Sequence, residues 1–321
     1  MKKSCFYGLM AVLLLAVILS GCGGGGSNPP NPPTYASGSQ WASATSAAAF
    51  TARLNHTSVV YDNKMWVIGG DDESESSCLN DVWYSGDGVK WTQVIVNVPF
   101  SARIGHTSVV YDNNMWVIGG YDGSNYLNDV WSSSDGTTWT QVETGRIFSA
   151  RTGHTGVVYK NKIWVIGGYD GSHLNDVWSS SDGKTWSQET TGAAFSGREG
   201  HTCVVYDNKL WVIGGGNSSG LLNDVWSSSD GKTWSQETGN AFSPRYAHTS
   251  VVYNNKIWVI GGYDNSAALN DVWYSGDGAN WTQATPSAAF SARHYHTSVV
   301  YNNTIWVIGG SGYQNDVWYA Q

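Results

Sequence analysis

Residues whose types could do chemistry recur at a fixed spacing along this chain. Each of six consecutive segments carries an Arg three residues before a His, as in Arg53 and His56, and later an Asn-Asp pair, as in Asn80 and Asp81. A catalytic site needs one convergent set of groups in distinct environments, so six copies of one set favour a structural network between segments. The network residues are Arg53, Arg103, Arg151, Arg198, Arg245, Arg293, His56, His106, His154, His201, His248 and His296.

Function is expected where the six segments differ, and two positions vary most. One is the pair of residues between the Arg and the His, and the other is the loop that follows a repeated Gly-Gly. Taken together, the two positions carry several Tyr and acidic residues. The candidate ligand-binding residues at these positions are Asp71, Asp72, Glu73, Tyr121, Asp122, Tyr169, Asp170, Tyr246, Tyr263, Asp264 and Tyr295.

Three single-copy residues are weak candidates for acid-base catalysis. Glu199 is the one acid that stands between an Arg and a His, and His173 and His294 lie outside the repeated His position. A carboxyl and an imidazole are the side chains that most often transfer protons in enzymes. The competing interpretation, that the Asp residues of the variable loops only form turns as in Asp122-Gly123, stays open at this stage.

The elements that must position these residues are short strands. The equivalent Arg residues are spaced 47 to 50 residues apart, and each segment contains four strand signals. The first is an alternating run such as HTSVVY, followed by an Asp-Asn or Asn-Asn pair, which favours a two-residue hairpin turn. The other three strand signals are WVIGG, NDVW and a spaced Trp after Asp-Gly. Four antiparallel strands per repeat of about 48 residues predict a β-propeller blade.

The two ends of the chain are expected to complete the sixth blade together. The last segment stops after its third strand signal at Trp318, and Gly38-Ser39-Gln40-Trp41 matches Gly278-Ala279-Asn280-Trp281. Pairing of the N-terminal strand with the last segment would close the ring and leave no exposed edge at the seam. Counted this way, each blade holds three of the 18 Trp residues, which we expect to pack between blades.

The double Gly, the DVW after a variable loop and the spaced Trp resemble kelch repeats over nearly the whole mature chain; WD40 repeats place their signature pairs differently. The resemblance implies an all-β, six-bladed β-propeller with four antiparallel strands per blade, over residues 38–321. In kelch domains that bind partners, the two variable positions lie around one mouth of the central channel. That mouth would carry Tyr and Asp and no Lys, which suits a carbohydrate, a cationic peptide or Ca²⁺.

Enzymes that share this fold provide alternative hypotheses for the function. Galactose oxidase is similar in blade pattern, but its copper site needs a Cys-Tyr crosslink and two His, and no convincing alignment of Cys78, His173 and His294 exists. Kelch-like sugar mutarotases need only an acid or base near a sugar, for which Glu199 is the first candidate. SSSDGKTW resembles the Asp-box of sialidases, a structural hairpin that implies no hydrolase.

The N-terminal residues predict export of the protein from the cytoplasm. Lys2 and Lys3 precede an apolar run that is too short to span a bilayer, and Leu19-Ser20-Gly21-Cys22 resembles the lipobox of bacterial lipoproteins. The resemblance implies cleavage of residues 1–21, acylation of Cys22 and a Gly- and Pro-rich tether over 22–37. The resemblance favours anchoring in the outer membrane, with the propeller either periplasmic or exposed at the cell surface.

Charge and cysteine content narrow the function further. The formal net charge of −8 argues against binding to nucleic acid. The acidic stretch Asp71-Asp72-Glu73 fits no metal motif, so a solvated loop is favoured over Ca²⁺ binding and no cofactor is expected. Cys78 and Cys203 fall in opposite blades and are expected to form no bridge with each other, with Cys203 a buried thiol. We therefore expect a monomeric, non-catalytic kelch lipoprotein that binds a protein or glycan at the cell envelope. A sugar-active enzyme and a structural envelope component remain as alternatives.

Overall fold

The computed structural model describes residues 38, 40–72, 77–94, 98–238 and 241–320. Over these residues the chain forms 25 β-strands, numbered β1 to β25 along the sequence, and no helix. No described segment is a helix long and apolar enough to cross a membrane. The predicted signal peptide, Cys22 and the tether lie outside the described residues.

Six four-stranded antiparallel blades surround a central channel, as predicted. The innermost strands are β3 (Thr57–Tyr61), β7 (Thr107–Tyr111), β11 (Thr155–Tyr159), β15 (Thr202–Tyr206), β19 (Thr249–Tyr253) and β23 (Thr297–Tyr301). The second strands are β4 (Lys64–Asp72), β8 (Asn114–Tyr121), β12 (Lys162–Tyr169), β16 (Lys209–Asn217), β20 (Lys256–Tyr263) and β24 (Thr304–Gly310).

The two outer positions of each blade complete the sheets. The third strands are β5 (Ser77–Ser85), β9 (Tyr126–Ser133), β13 (His173–Ser180), β17 (Gly220–Ser228), β21 (Ala268–Ser275) and β25 (Gln314–Ala320). The outermost strands are β6 (Thr92–Gln93), β10 (Thr140–Gln141), β14 (Ser187–Thr190), β18 (Ser235–Thr238), β22 (Thr282–Thr285) and β1 (Trp41–Thr45). One further short strand, β2 (Arg53–Leu54), pairs with the end of β4.

The ring closes as the sequence predicts. β1 pairs antiparallel with β25, with Trp41 opposite Ala320 and Thr45 opposite Val317, so the N-terminal strand is the fourth strand of blade six. The first and last blades also meet at the channel, where the hydroxyls of Ser58 and Thr297 lie 2.6 Å apart. Because β1 covers the outer edge of β25, the last strand of the chain has no open edge at the seam.

The local sequence explains the hairpins. Asp62 and Asn63 connect β3 to β4 with φ of 46° and 52°, which is the two-residue turn that matches strand twist. The register then runs from Tyr61 opposite Lys64 to Thr57 opposite Ile68. The same turn recurs in all six blades. We call the end of the molecule that carries these turns the bottom, and the opposite end the mouth.

The Trp of each second strand joins its blade to the next. Trp66 of blade one lies over Gly136 in the β9–β10 turn of blade two, where a Cβ would meet the indole at 2.3 Å, and Gly136 has a φ of +74°. Only glycine therefore fits under the ring. At the seam the same contact joins Trp258 to Gly38, which confirms the match between the N-terminal segment and the repeats.

Candidate functional site

The repeated Arg side chains are buried clamps. Arg103 is fully buried and forms two hydrogen bonds with the carboxylate of Asp129, at 2.7 and 2.8 Å, and a third with the Gly119 carbonyl. Its backbone N–H donates to Leu79 of the preceding blade. Asp129 also accepts from Trp131 Nε1. All six blades repeat the Arg-Asp pair, which lies within one blade and fixes the loop whose backbone contacts the preceding blade. Because each Arg is fully buried, it presents no charge to a ligand.

The repeated His side chains are also buried at the contacts between neighbouring blades. His106 is buried, and its Nε2 lies 2.9 Å from the Thr57 hydroxyl of the preceding blade. Burial lowers the pKa of His106 well below its ordinary value, so the ring is neutral. His154 differs, because Thr107 instead accepts the N–H of Gly156, and His154 Nε2 has no hydrogen-bond partner among the described residues.

Threonine and serine hydroxyls line the channel. The cavity of about 190 Å³ is bounded mainly by the first two residues of the innermost strands. Cys203 replaces one of these serines; it is a free thiol, half-buried on the channel wall, and burial raises its pKa to about 12. The prediction that no disulfide joins Cys78 to Cys203 is therefore confirmed, whereas Cys203 is less buried than expected.

A ring of backbone hydrogen bonds surrounds the channel at the mouth. The second residue of each variable Arg-x-x-His pair donates its N–H to the carbonyl of the equivalent residue in the preceding blade, over 2.8 to 3.3 Å. All six have φ between 53° and 61°. They are Asn55, Gly105, Gly153, Gly200, Ala247 and Tyr295. Because this ring closes on itself, it fixes the mouth positions relative to one another.

The structure brings the two variable positions of each blade together. The first residue of the variable pair forms a backbone bridge with the residue after Gly-Gly: Ile104 with Tyr121, Thr152 with Tyr169, Glu199 with Gly216 and Tyr246 with Tyr263. In blade one Leu54 pairs with Asp71, and in blade six Ser311 N donates to the His294 carbonyl. Each blade thus presents one such pair at the mouth.

Aromatic rings form an arc along part of the mouth. Tyr121, Tyr126 and Tyr169 follow one another with centroids 5.5 and 5.9 Å apart, and Tyr169 contacts His173 at 5.1 Å. On the far side of blade four a second group begins at Tyr246. Its centroid lies 5.9 Å from Tyr263, 5.6 Å from Tyr295 and 6.4 Å from His294. All these side chains are half-buried. We call the two groups together the aromatic arc.

Glu199 lies between the two halves of the aromatic arc. Its Oε1 is 3.5 Å from His173 Nε2, and its charge acts on Tyr246 of the next blade. Burial raises the pKa of Glu199 to about 7 and lowers that of His173. The side chain of Glu199 keeps 33% of its surface exposed. This carboxyl is therefore accessible and changes charge near neutral pH.

His294 is the third residue proposed for acid-base chemistry. Its Nδ1 lies 2.8 Å from the Ser311 hydroxyl, and burial lowers its pKa to about 4. Its ring packs against Tyr263 and Tyr295. The structure thus places Glu199, His173 and His294 at one mouth, with Tyr246 between Glu199 and His294.

The aspartates of the variable loops stabilise the turns of those loops. Asp122 Oδ1 accepts the N–H groups of Ser124 and Asn125 at 2.8 and 2.7 Å, and Asp264 does the same for the two residues that follow its turn. Asp170 accepts the N–H of Ser172 and the hydroxyl of Ser149. These bonds are those of Asx turns, so the carboxylates shape the loops on which the tyrosines stand.

The acidic stretch of blade one differs from the solvated loop that the sequence predicts. Asp71 and Asp72 are the last residues of β4, paired with Leu54 and Arg53 of β2, and are only 7% and 9% exposed. They are buried because β2 extends the sheet of this blade to the mouth. Glu73 lies outside the described residues. No cluster of three or more His, Cys, Asp or Glu that could hold a metal ion occurs within the described ranges.

The exposed basic side chains lie away from the aromatic arc. Arg146 packs over the Trp178 ring on the third strand of blade three, and the six clamp arginines near the mouth are fully buried. Among the residues that the structure describes, the accessible charge at the mouth is therefore acidic. Glu199 lies between the two halves of the aromatic arc, and Asp122, Asp170 and Asp264 directly follow tyrosines of the arc. The eight lysines after residue 3 lie at the bottom, on hairpin turns or at the bottom ends of strands: Lys64, Lys90, Lys160, Lys162, Lys184, Lys209, Lys232 and Lys256.

Sequence reasoning missed Tyr126, which links Tyr121 to Tyr169. It is the first residue of β9, directly before the repeated LNDV, at a position that varies among the repeats, so its residue type was the only available signal. The backbone ring was also missed, although glycine in the second variable position of three blades is a sign of a backbone with positive φ.

Comparison with known families agrees with this architecture. The family model described as the KLHDC2/KLHL20/DRC7 Kelch-repeats domain matches residues 36–188 and again residues 180–321. The chain belongs to this Kelch-repeat family. The predicted kelch resemblance is confirmed, and a Kelch-repeat propeller suggests a protein-binding scaffold. No curated protein matches the chain.

Proposed function

We propose that this Kelch propeller is a non-catalytic lipoprotein of the cell envelope whose mouth binds a protein partner. The observation that supports the proposal most directly is the aromatic arc, in which half-buried tyrosines and histidines stand on a rigid ring. Tyrosine is enriched in protein interfaces because it supplies a large contact area at low conformational cost. The envelope setting rests on the lipobox-like sequence that ends at Cys22.

The path of the chain is consistent with a mouth that points away from a membrane. Gly38 packs on Trp258 at the bottom, and β1 starts there with Trp41 opposite Ala320. The segment from Cys22 to residue 37 therefore joins the propeller at its bottom end. With Cys22 acylated, the lipid anchor would be attached at the bottom end, opposite the aromatic arc.

A pull-down from solubilised envelopes tests the proposal. The variant carries Tyr121→Ser, Tyr169→Ser and Tyr263→Ser, because blade six has Ser311 at the equivalent position and shows that the fold accepts serine there. The matched control is Tyr84→Ser at the opposite end of blade one, where blade two carries Ser132. We expect the partner to be captured by the wild-type and control proteins and lost from the triple variant.

Three outcomes of this experiment contradict the proposal. Capture of the same partner by the triple variant would place the interface elsewhere on the ring. A glycan recovered in place of a protein would move the function to carbohydrate binding, for which the half-buried tyrosine rings are also suited. Absence of any partner for all three proteins would favour a structural component of the envelope.

The Glu199–His173 contact supports a second candidate, a sugar-active enzyme of the mutarotase kind. A carboxyl with a pKa of about 7 beside an imidazole 3.5 Å away can give and accept protons at neutral pH. On this hypothesis Glu199→Gln abolishes interconversion of sugar anomers, measured by polarimetry, whereas Glu143→Gln on the exposed flank leaves the rate unchanged. Equal rates with and without the protein would exclude it.

A further inference from the structure

Blade four interrupts the aromatic arc at a position that we call the notch, because it places no aromatic ring there. Blades two, three and five place a tyrosine directly after Gly-Gly, namely Tyr121, Tyr169 and Tyr263, whereas blade four has Gly216 there. Gly216 pairs with Glu199. Leu221 packs beside Gly216, where a Cβ would meet it at 3.1 Å. Glu199 therefore lies between the aromatic groups of blades three and five, where Tyr169 contacts His173 on one side and Tyr246 contacts Tyr263 on the other.

No basic group of the described chain neutralises Glu199. Arg198, its neighbour in sequence, is fully buried and forms two hydrogen bonds with Asp224. The lysines lie at the bottom of the propeller. The imidazole of His173 contacts Glu199, but burial lowers the pKa of that ring, so it is neutral at physiological pH.

From this geometry we infer that the notch takes a cationic side chain of the partner, an arginine guanidinium or a lysine ammonium, which pairs with Glu199 between the flanking aromatic rings. The inference rests on the proposed function and names the group that the partner must carry. A cation near the face of a tyrosine is attracted by the ring quadrupole. The Glu199 carboxylate supplies the opposite charge, and its partial burial strengthens both contacts relative to water.

The inference makes binding dependent on pH. The titratable groups that face Glu199 are His173 from β13 and Tyr246 from the following blade. A cationic group binds the ionised form of Glu199. With a pKa of about 7, the ionised fraction rises roughly tenfold between pH 6 and pH 8, and affinity rises with it.

The test uses three fluorescein-labelled hexapeptides of Gly and Ser, with arginine, citrulline or glutamate in the central position. Citrulline has the shape of arginine without its charge. Fluorescence anisotropy with the full chain is expected to give the arginine peptide about tenfold tighter binding than the citrulline peptide at pH 8, and weaker binding at pH 6. Glu199→Gln and Glu199→Thr, the latter copying Thr152, are expected to remove this preference, whereas Glu143→Gln keeps it.

Three results would overturn the inference. They are equal affinity for the arginine and citrulline peptides, an unchanged preference for arginine in the Glu199→Gln variant, and no binding of the arginine peptide up to about 1 mM. The envelope pull-down separates this failure from failure of the proposed function. A partner that is lost from the triple tyrosine variant but retained by Glu199→Gln at both pH values leaves the binding mouth standing and removes the cationic contact. A partner retained by the triple variant removes both.

Discussion

Replacing Glu199 by Gln should make the propeller more stable at pH 8 than the wild type, by an amount that grows with pH. Burial raises the pKa of Glu199 from its ordinary 4.5 to about 7, so the folded chain holds this proton more tightly than the unfolded chain does. Stability from this group is therefore full below pH 4.5, falls between pH 4.5 and 7, and is lost above pH 7. The uncharged amide of the Glu199→Gln variant does not titrate and has no such dependence.

The magnitude follows from the shift and from the exposure of the side chain. The shift in pKa alone corresponds to about 3 kcal/mol. Because 33% of the side chain is exposed, solvent screening reduces this penalty, and we expect about 1–2 kcal/mol. For a domain of this size that is a difference in Tm of roughly 2–6 °C.

Thermal unfolding at pH 5 and pH 8 measures this effect as the change in the difference between variant and wild type. The buried histidines titrate in both proteins, so their contribution cancels. Glu143→Gln is the control, since Glu143 lies on the exposed flank. A difference between Glu199→Gln and wild type that stays constant from pH 5 to pH 8 would refute the assigned environment of Glu199.

Three further predictions concern the ring itself. Gly136→Ala forces a Cβ against Trp66 at a φ of +74° and should cost about 2–4 kcal/mol in urea unfolding, whereas Gly145→Ala, which meets no atom within 4 Å, should be neutral. Arg103→Met leaves the Asp129 carboxylate without its partner and should cost about 3–5 kcal/mol; a loss below 1 kcal/mol would contradict the clamp. The buried His rings, whose pKa falls to about 3 in His56, must gain protons on unfolding, so stability should drop steeply as pH falls below 6.5; a flat profile from pH 7 to pH 5 in circular dichroism melts would contradict this.

The repeats made the fold predictable. Each local signal occurs six times, so an error in one segment is corrected by the other five. The turn at Asp62 and Asn63, the pairing of Trp41 with the last blade and the indole contact on Gly38 all follow from matching one repeat to another. The resemblance to kelch repeats added the location of the variable positions around one mouth.

The geometry of the mouth was less accessible from the sequence. The backbone ring forms between residues in neighbouring blades, about 48 positions apart, and no local pattern specifies such hydrogen bonds. The loop aspartates were grouped with the tyrosines because both are variable, but Asp122 turns its carboxylate to backbone N–H groups of its own loop. The burial of Asp71 and Asp72 depends on β2, a two-residue strand too short to predict.

Site-specific photocrosslinking in intact cells tests the central claim most directly. A benzophenone amino acid at position 263 stands in the aromatic arc, and the same probe at position 84 stands at the bottom end of blade one. A protein that crosslinks at position 263 and not at position 84 is the result that partner binding at the mouth predicts. Crosslinks at position 84 alone, or at neither position, would contradict it.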